Sequence, residues 1–214
     1  MKPPASTTIL GIETSCDETA AAVLDGEGHV LANVISSQQT VHERFGGVVP
    51  ELASRAHIQN VDHVTRQALD AAGLTWQDLG AIAVTQGPGL AGALLVGISY
   101  AKSLAYALGI PLVGVSHLEG HIASAWIDRP SFPRTCVVLI ASGGHTHLFH
   151  ATEHGGFHLM GRTIDDAAGE AFDKGAQMLG LGYPGGPLID AAARKGNPAA
   201  VRFPRSRVRT GQLD

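Results

Sequence analysis

The feature that most constrains this chain is a pattern given twice: strand, polar turn, strand, turn, strand, then helix. In the first pass Ile9 to Glu13 is an apolar run ended by the polar turn Thr14 to Thr19. Ala20 to Leu24 is a second run, Asp25 to Gly28 a turn, and Val30 to Ile35 a third run. Short apolar runs separated by turn residues read as an antiparallel meander. Val48 to Ala72 then carries apolar residues at 48, 49, 52, 53, 56, 61, 64, 68, 69 and 72, with Pro50 near its start and Gly73 at its end, as a helix requires. Gly80 to Thr85 is a strand, Gln86 to Gly89 a tight turn and Leu90 to Leu108 an Ala-rich helix stopped by Gly109. A strand from Pro111 to Ser116 and a short helix from His117 to Trp126 follow, and Arg129 to Pro133, with two prolines, reads as a linker. The pattern then restarts with strands Cys136 to Ala141, His147 to Ala151 and Phe157 to Arg162, and a helix from Ala167 to Leu179. One supersecondary unit used twice predicts two similar α/β lobes facing each other, residues 1–134 and 135–214. The second pass is shorter, so the second lobe reads as incomplete.

Composition excludes several classes. With 44% apolar residues, 16% charged and a net charge of −4 over 214 residues, the chain can bury a full core and is not disordered. Apolar stretches such as Ala91 to Ile98 fall short of the roughly 20 residues that span a bilayer, and Met1 to Thr8 lacks the apolar region of a signal peptide. Cys16 and Cys136 make no metal spacing and read as core thiols of a cytosolic protein. The 27 glycines point to turns of positive φ and to close backbone approaches; Gly87–Gly89, Gly143–Gly144 and Gly182–Gly186 are assigned to turns facing the cleft.

Four stretches carry chemistry. Ser142-Gly143-Gly144-His145-Thr146 joins two strands, and its glycines let consecutive N–H groups converge as a nest for phosphate oxygens. Thr14 to Thr19 holds the matching place in the first pass, but Asp17 and Glu18 make it acidic; an acidic loop and an anion nest together suit a nucleotide phosphate bridged by a cation. An ordinary hairpin turn is the plain alternative for either. His117 and His121, at i and i+4 on a helix, share one face and suit a divalent metal, though two histidines make an incomplete site. Gly182 to Pro187 is a rigid loop ahead of a helix from Leu188 to Lys195, with Asp190 in its first turn, and Asp173 sits mid-helix. The last 21 residues are basic, which suits either nucleic acid or a solvated tail. His145, His147, His150, His154 and His158 share no metal geometry.

Taken in order, Ile9 to Thr19, Gly46 to Arg55, Gly87-Pro88-Gly89-Leu90, His117 to His121, Ser142 to Thr146 and Tyr183 to Pro187 closely resemble the TsaD (Gcp, YgjD) family of tRNA N6-adenosine threonylcarbamoyltransferases, in its bacterial form. The resemblance covers residues 9 to about 204. It implies an actin-like (ASKHA) α/β fold of two ribonuclease H-like lobes. It implies transfer of the threonylcarbamoyl group from threonylcarbamoyl-adenylate to N6 of adenosine 37 in tRNAs reading codons that begin with adenine. By the same resemblance His117 and His121 bind one metal ion, Fe2+ with Zn2+ as the alternative. Ile140, Ala141, Ser142, Gly143, Gly144, Asp173, Gly186 and Asp190 contact the adenylate or ATP, and Asp17 or Glu18 positions the tRNA amine. Implied partners are tRNA, a TsaB-type paralogue, a TsaE-type ATPase and the synthase that supplies threonylcarbamoyl-AMP; no membrane is involved and the location is cytoplasmic. Family members continue with a Ser-Phe-Ser-Gly-Leu-Lys stretch, an Asn-containing nucleotide segment and a late Asp that completes the metal site, so the 214-residue chain alone is expected to transfer little or nothing.

Other classes fit less well. A non-catalytic actin-like scaffold would lack the His117 and His121 pair. A metalloprotease needs H-E-x-x-H, whereas Glu119 points away from the face the histidines share. A sugar kinase would want a different phosphate loop where this chain has Glu13-Thr14-Ser15.

Overall fold

The computed structural model describes residues 7–204 apart from 128, 130 and 154. The chain divides into two compact units, Met1–Pro130 and Ser131–Asp214. In the first, strands β1 (Thr8–Glu13), β2 (Glu18–Leu24) and β3 (Val30–Ser37) form the expected meander. Strands β4 (Leu79–Gly87) and β5 (Leu112–Ser116) add to β1 in parallel, giving the order β3-β2-β1-β4-β5. Helices α2 (Pro50–Ala72) and α3 (Ala91–Leu108) cross over between parallel strands. Alternation along the strands decides which side chains meet them. Leu10, Ile12, Ala21, Val23, Ile82 and Val84 turn toward the helices and are buried with Val61, Val64 and Leu69 of α2. Full burial of each large aliphatic contributes roughly 1.5–3 kcal/mol, the main favourable term in this layer.

Local chemistry sets the helix ends. Pro50 occupies the first turn of α2, where its missing N–H costs no bond. Gly73 closes the helix at φ 69°, and Leu74 N–H reaches back to the Leu69 carbonyl. Gly109 ends α3 in the same way. The apolar stretch that begins at Ala91 is longer than its first eight residues suggest: α3 is 18 residues and apolar enough, by length and composition, to cross a membrane. Its Ala93, Leu94, Gly97, Ala101 and Ala105 are instead buried, in a helix packed on α2 and β4.

Two short elements interrupt what reads as loop. Gln39–His42 is a helical turn, α1, and a 3₁₀ turn follows at Glu43–Phe45. The expected helix after β5 is α4, His117–Ala123, continued as a 3₁₀ turn to Trp126.

The second unit contains an antiparallel sheet of β6 (Cys136–Ala141), β7 (Thr146–Ala151) and β8 (Phe157–Arg162), followed by α5 (Ala168–Met178) and α6 (Gly185–Ala193). The last helix begins three residues earlier than its periodicity suggests. The Asp173 carboxylate accepts the Gly185 N–H at 2.7 Å and starts the helix there. Pro187 is tolerated because first-turn N–H groups need no helical acceptor. Asp190 therefore lies mid-helix, not in the first turn.

Candidate functional site

The carboxyl ends of three neighbouring parallel strands deliver the first group of polar side chains. β1 ends in Glu13, β4 carries Thr85 near its end, and β5 runs directly into α4 at His117. Such ends are where ligands bind in open α/β sheets. His117 and His121 bring their Nε2 atoms to 3.0 Å of each other across one helical turn. On its other side His117 Nδ1 lies 3.0 Å from Glu13 Oε2 and 3.2 Å from Ser15 Oγ. Glu13 also accepts the Thr85 hydroxyl on Oε2, at 2.8 Å, and the Ser15 N–H on Oε1. Burial opposes the charge of Glu13, but the bonds from His117, Ser15 and Thr85 outweigh it and hold the carboxyl at about 2. Burial, with the neighbouring His117, pushes His121 below the ordinary imidazole value.

This donor set fits a divalent cation. Two imidazole nitrogens converge on one point, and a carboxylate stands behind one of them, as is general for metal-bound histidine. Among the described residues no third His, Cys, Asp or Glu joins a cluster able to hold a metal ion. The sequence pattern finds both histidines but misses Glu13, which looks like one more polar residue ending a strand. Its signal is the Glu13-Thr14-Ser15 turn, which lets the carboxylate fold back onto Ser15 N–H.

Asp17 and Glu18 follow in the same loop. Glu18 opens β2 and is exposed, Asp17 is half-buried, and the Asp17 carbonyl accepts the Gln38 N–H. The carboxylate brought to His117 is thus Glu13 rather than either of these. Cys16 is exposed, not in the core, because the turn directs it outward. Desolvation around the thiol and the adjacent Asp17 push it up to about 12, which leaves it inert as a nucleophile.

Behind this loop lies a buried polar network that the periodic reading overlooks. Thr19, Gln38, His42 and His57 are all at most 2% exposed. The Cys16 carbonyl accepts from His57 Nε2 at 2.9 Å, so His57 Nδ1 is the acceptor for the Thr19 hydroxyl at 2.8 Å and the Gln38 amide at 3.3 Å. Val49 N–H donates to His42 Nδ1, and His42 Nε2 donates to Gln38 Oε1. Two glycines close the loop from outside. A Cβ on Gly89 would stand 2.6 Å from the Ser15 carbonyl, which accepts the Leu90 N–H, and one on Gly97 would stand 2.3 Å from Thr14 Oγ1.

The remaining candidates lie in the second unit. Ser142 is pinned at the turn by bonds with His145, and its carbonyl accepts the Gly169 N–H. Among the described residues the Gly143 and Gly144 N–H groups have no recorded protein acceptor, and both glycines face open space, as an anion nest requires. Ile140 is buried on β6 just ahead of them, and Ala141 is exposed. Asp173 binds Gly185, the neighbour of Gly186, where α5 and α6 pack backbone to backbone, and Gly186 faces open space. Asp190 pairs instead with Arg194 of its own helix at 2.8 Å. His150 faces His158 across β7 and β8; His154 and the end of the basic tail, 205–214, lie outside the described residues.

The family model for TsaD, tRNA N6-adenosine threonylcarbamoyltransferase, matches residues 29–213. A tRNA N6-adenosine threonylcarbamoyltransferase of Clostridium perfringens is 55% identical over 206 residues, covering 96% of this chain and 61% of its own length. The Moorella thermoacetica relative of the same name is 56% identical over 208 residues, covering 97% and 61%. The chain therefore spans about three fifths of the length of these curated relatives. Among solved structures, YeaZ from Pseudomonas aeruginosa superposes with TM-score 0.51 at 22% identity, over 76% of this chain and 72% of that one. The ethanolamine utilization protein EutJ from Carboxydothermus hydrogenoformans gives TM-score 0.50 at 17% identity, over 90% and 61%. These two likenesses show the fold, which is actin-like α/β.

Proposed function

The chain belongs to the tRNA N6-adenosine threonylcarbamoyltransferase family, and on that premise we propose that its residues serve transfer of a threonylcarbamoyl group from threonylcarbamoyl-adenylate to N6 of adenosine 37 in tRNAs reading ANN codons. In this reaction the N6 nitrogen bonds to the carbamoyl carbon, the bond from that carbon to the phosphate oxygen breaks, and AMP leaves. His117 and His121 would hold one divalent ion, Fe2+ or Zn2+, which when bound supplies Lewis-acid polarisation of a substrate oxygen. The observation that carries this reading is the convergence of the two Nε2 atoms at 3.0 Å in front of the Glu13 carboxylate.

The chain's own groups have separable tasks. Gly143 and Gly144 N–H groups meet the adenylate phosphate and offset the charge that grows on it as AMP departs. Ile140, Ala141 and Ser142 frame that turn. Asp173, Gly186 and Asp190 contact the nucleotide beyond it. Asp17 or Glu18 orients the adenosine amine and takes its proton on a carboxylate oxygen. tRNA, a TsaB-type paralogue, a TsaE-type ATPase and a threonylcarbamoyl-AMP synthase complete the reading, which places the chain in the cytoplasm.

The test replaces the matching segment of the full-length Moorella thermoacetica relative with residues 9–204 of this chain. Threonylcarbamoyl-adenosine in tRNA, read by nucleoside mass spectrometry, is expected with the chimera and at least 100-fold reduced with His117→Ala or His121→Ala. A chimera that folds and binds tRNA but forms no modified nucleoside would overturn the proposal.

A further inference from the structure

Metal-ligating histidines need one nitrogen free of its proton and aimed at the ion, and the second nitrogen's partner decides which. In this chain His117 Nδ1 faces the Glu13 carboxylate at 3.0 Å, with Ser15 Oγ beside it at 3.2 Å, and the carboxylate's other contacts all come from donors. Glu13 Oε1 accepts the Ser15 N–H, and Oε2 accepts the Thr85 hydroxyl as well as facing His117 Nδ1 at 3.0 Å. An ionised carboxylate only accepts hydrogen bonds, so the proton between Glu13 and His117 belongs to the imidazole. We infer that Glu13 is the positioning residue of the histidine pair: it fixes the His117 proton on Nδ1 and leaves the Nε2 lone pair facing His121.

The opposite tautomer would set two lone pairs against each other at the Glu13 contact. It would also put a proton on the His117 nitrogen that faces His121, where an ion needs a lone pair. Without an ion, His121 Nε2 donates to His117 Nε2 across their 3.0 Å separation, and a cation would take the place of that shared proton. Glu13 is itself held from two elements, Thr85 of β4 and the Ser15 turn, and the Ser15 carbonyl is tied to Leu90 N–H at 2.8 Å. The imidazole is therefore oriented by the sheet rather than by α4 alone. This inference builds on the metal reading above, but the tautomer can be measured without any metal.

The experiment is long-range 1H–15N NMR of the metal-free full chain at neutral pH, with His117 assigned by its loss in His117→Gln. The Nδ1 nitrogen is expected in the protonated range and Nε2 in the unprotonated range. In Glu13→Ala the signals move to a mixture of tautomers or to Nε2–H, and Co2+ affinity, followed by visible absorption, falls on the order of 10–100-fold. Glu13→Gln keeps an accepting carbonyl, so it is expected to restore the Nδ1–H tautomer with intermediate Co2+ affinity. A wild-type His117 protonated on Nε2, or a folded Glu13→Ala with its tautomer unchanged, would overturn the inference. If Glu13→Ala fails to fold, the wild-type and Glu13→Gln spectra decide. A wild-type chain with the stated tautomer and no Co2+ binding would remove the metal reading while leaving the role of Glu13 intact.

Discussion

His57 shows how one residue couples the loop to the core. It is fully buried, its Nε2 proton is committed to the Cys16 carbonyl, and burial depresses its affinity for a second proton. In the unfolded chain the same imidazole titrates near 6.5. Above that value His57 is neutral in both states and its contribution is complete. As pH falls below it, the unfolded chain takes up a proton that the folded chain refuses, so stability drops by up to about 1.4 kcal/mol per pH unit from this residue. Thermal melts across this range are expected to slope more steeply for wild type than for His57→Gln; equal slopes would mean that His57 titrates freely in the fold. Residues of this kind are hard to see in a sequence. His57 occupies the apolar face of α2, and a pattern built on hydrophobic spacing passes over a polar side chain satisfied by partners 19 to 41 residues away. His117 and His121 were visible because their relation is local, one helical turn, whereas Glu13 is 104 residues from His117 and meets it only through strand pairing.

At the scale of elements, glycine placement makes opposite predictions in two helices. Alanine favours a helix interior over glycine by about 1 kcal/mol. At Gly120 of α4 nothing stands within 4 Å of the added methyl, so Gly120→Ala is expected to raise stability by up to that amount. At Gly97 of α3 the methyl would meet Thr14 Oγ1 at 2.3 Å, and Thr14 is buried and donates its hydroxyl to the Ala93 carbonyl. Overpacking costs about 1–3 kcal/mol and the displaced bond roughly another 1, so Gly97→Ala is expected to be net destabilising by about 1–3 kcal/mol. Denaturant titration of both variants checks the contrast; a stabilised Gly97→Ala would show that Thr14 yields freely. Element ends were legible wherever a terminator is chemical, as at Gly73 and Gly109. The start of α6 was not, because its cap is Asp173 from another helix, twelve residues earlier. α1 leaves no signal in the sequence because four residues are too few to show a period.

For the whole molecule, the repeated strand-turn-strand order identifies the two antiparallel meanders, and turn chemistry marks their corners. The parallel order β1-β4-β5 rests on pairings 71–72 residues apart between β1 and β4 and 29–30 apart between β4 and β5, for which the sequence holds no local signal. Glu13, His117, His121, Ser15 and Thr85 all fall within Met1–Pro130. That unit expressed by itself is expected to keep Co2+ affinity within about threefold of the full chain; an affinity lost altogether would show that the second unit is needed to form the histidine site.

The pairing of Ile12 with Val84 and of Thr85 with Val115 places Glu13, Thr85 and His117 in one row. A slip of one residue in β1 would turn Glu13 to the opposite face of the sheet and leave His117 without its carboxylate. On the proposed metal reading, the histidine pair is therefore an optical gauge of strand alignment. A refolding chain given Co2+ should gain visible colour at full strength only when β1, β4 and β5 have locked in the correct register, so misaligned species that look native in secondary-structure content can be counted by the absorbance they lack.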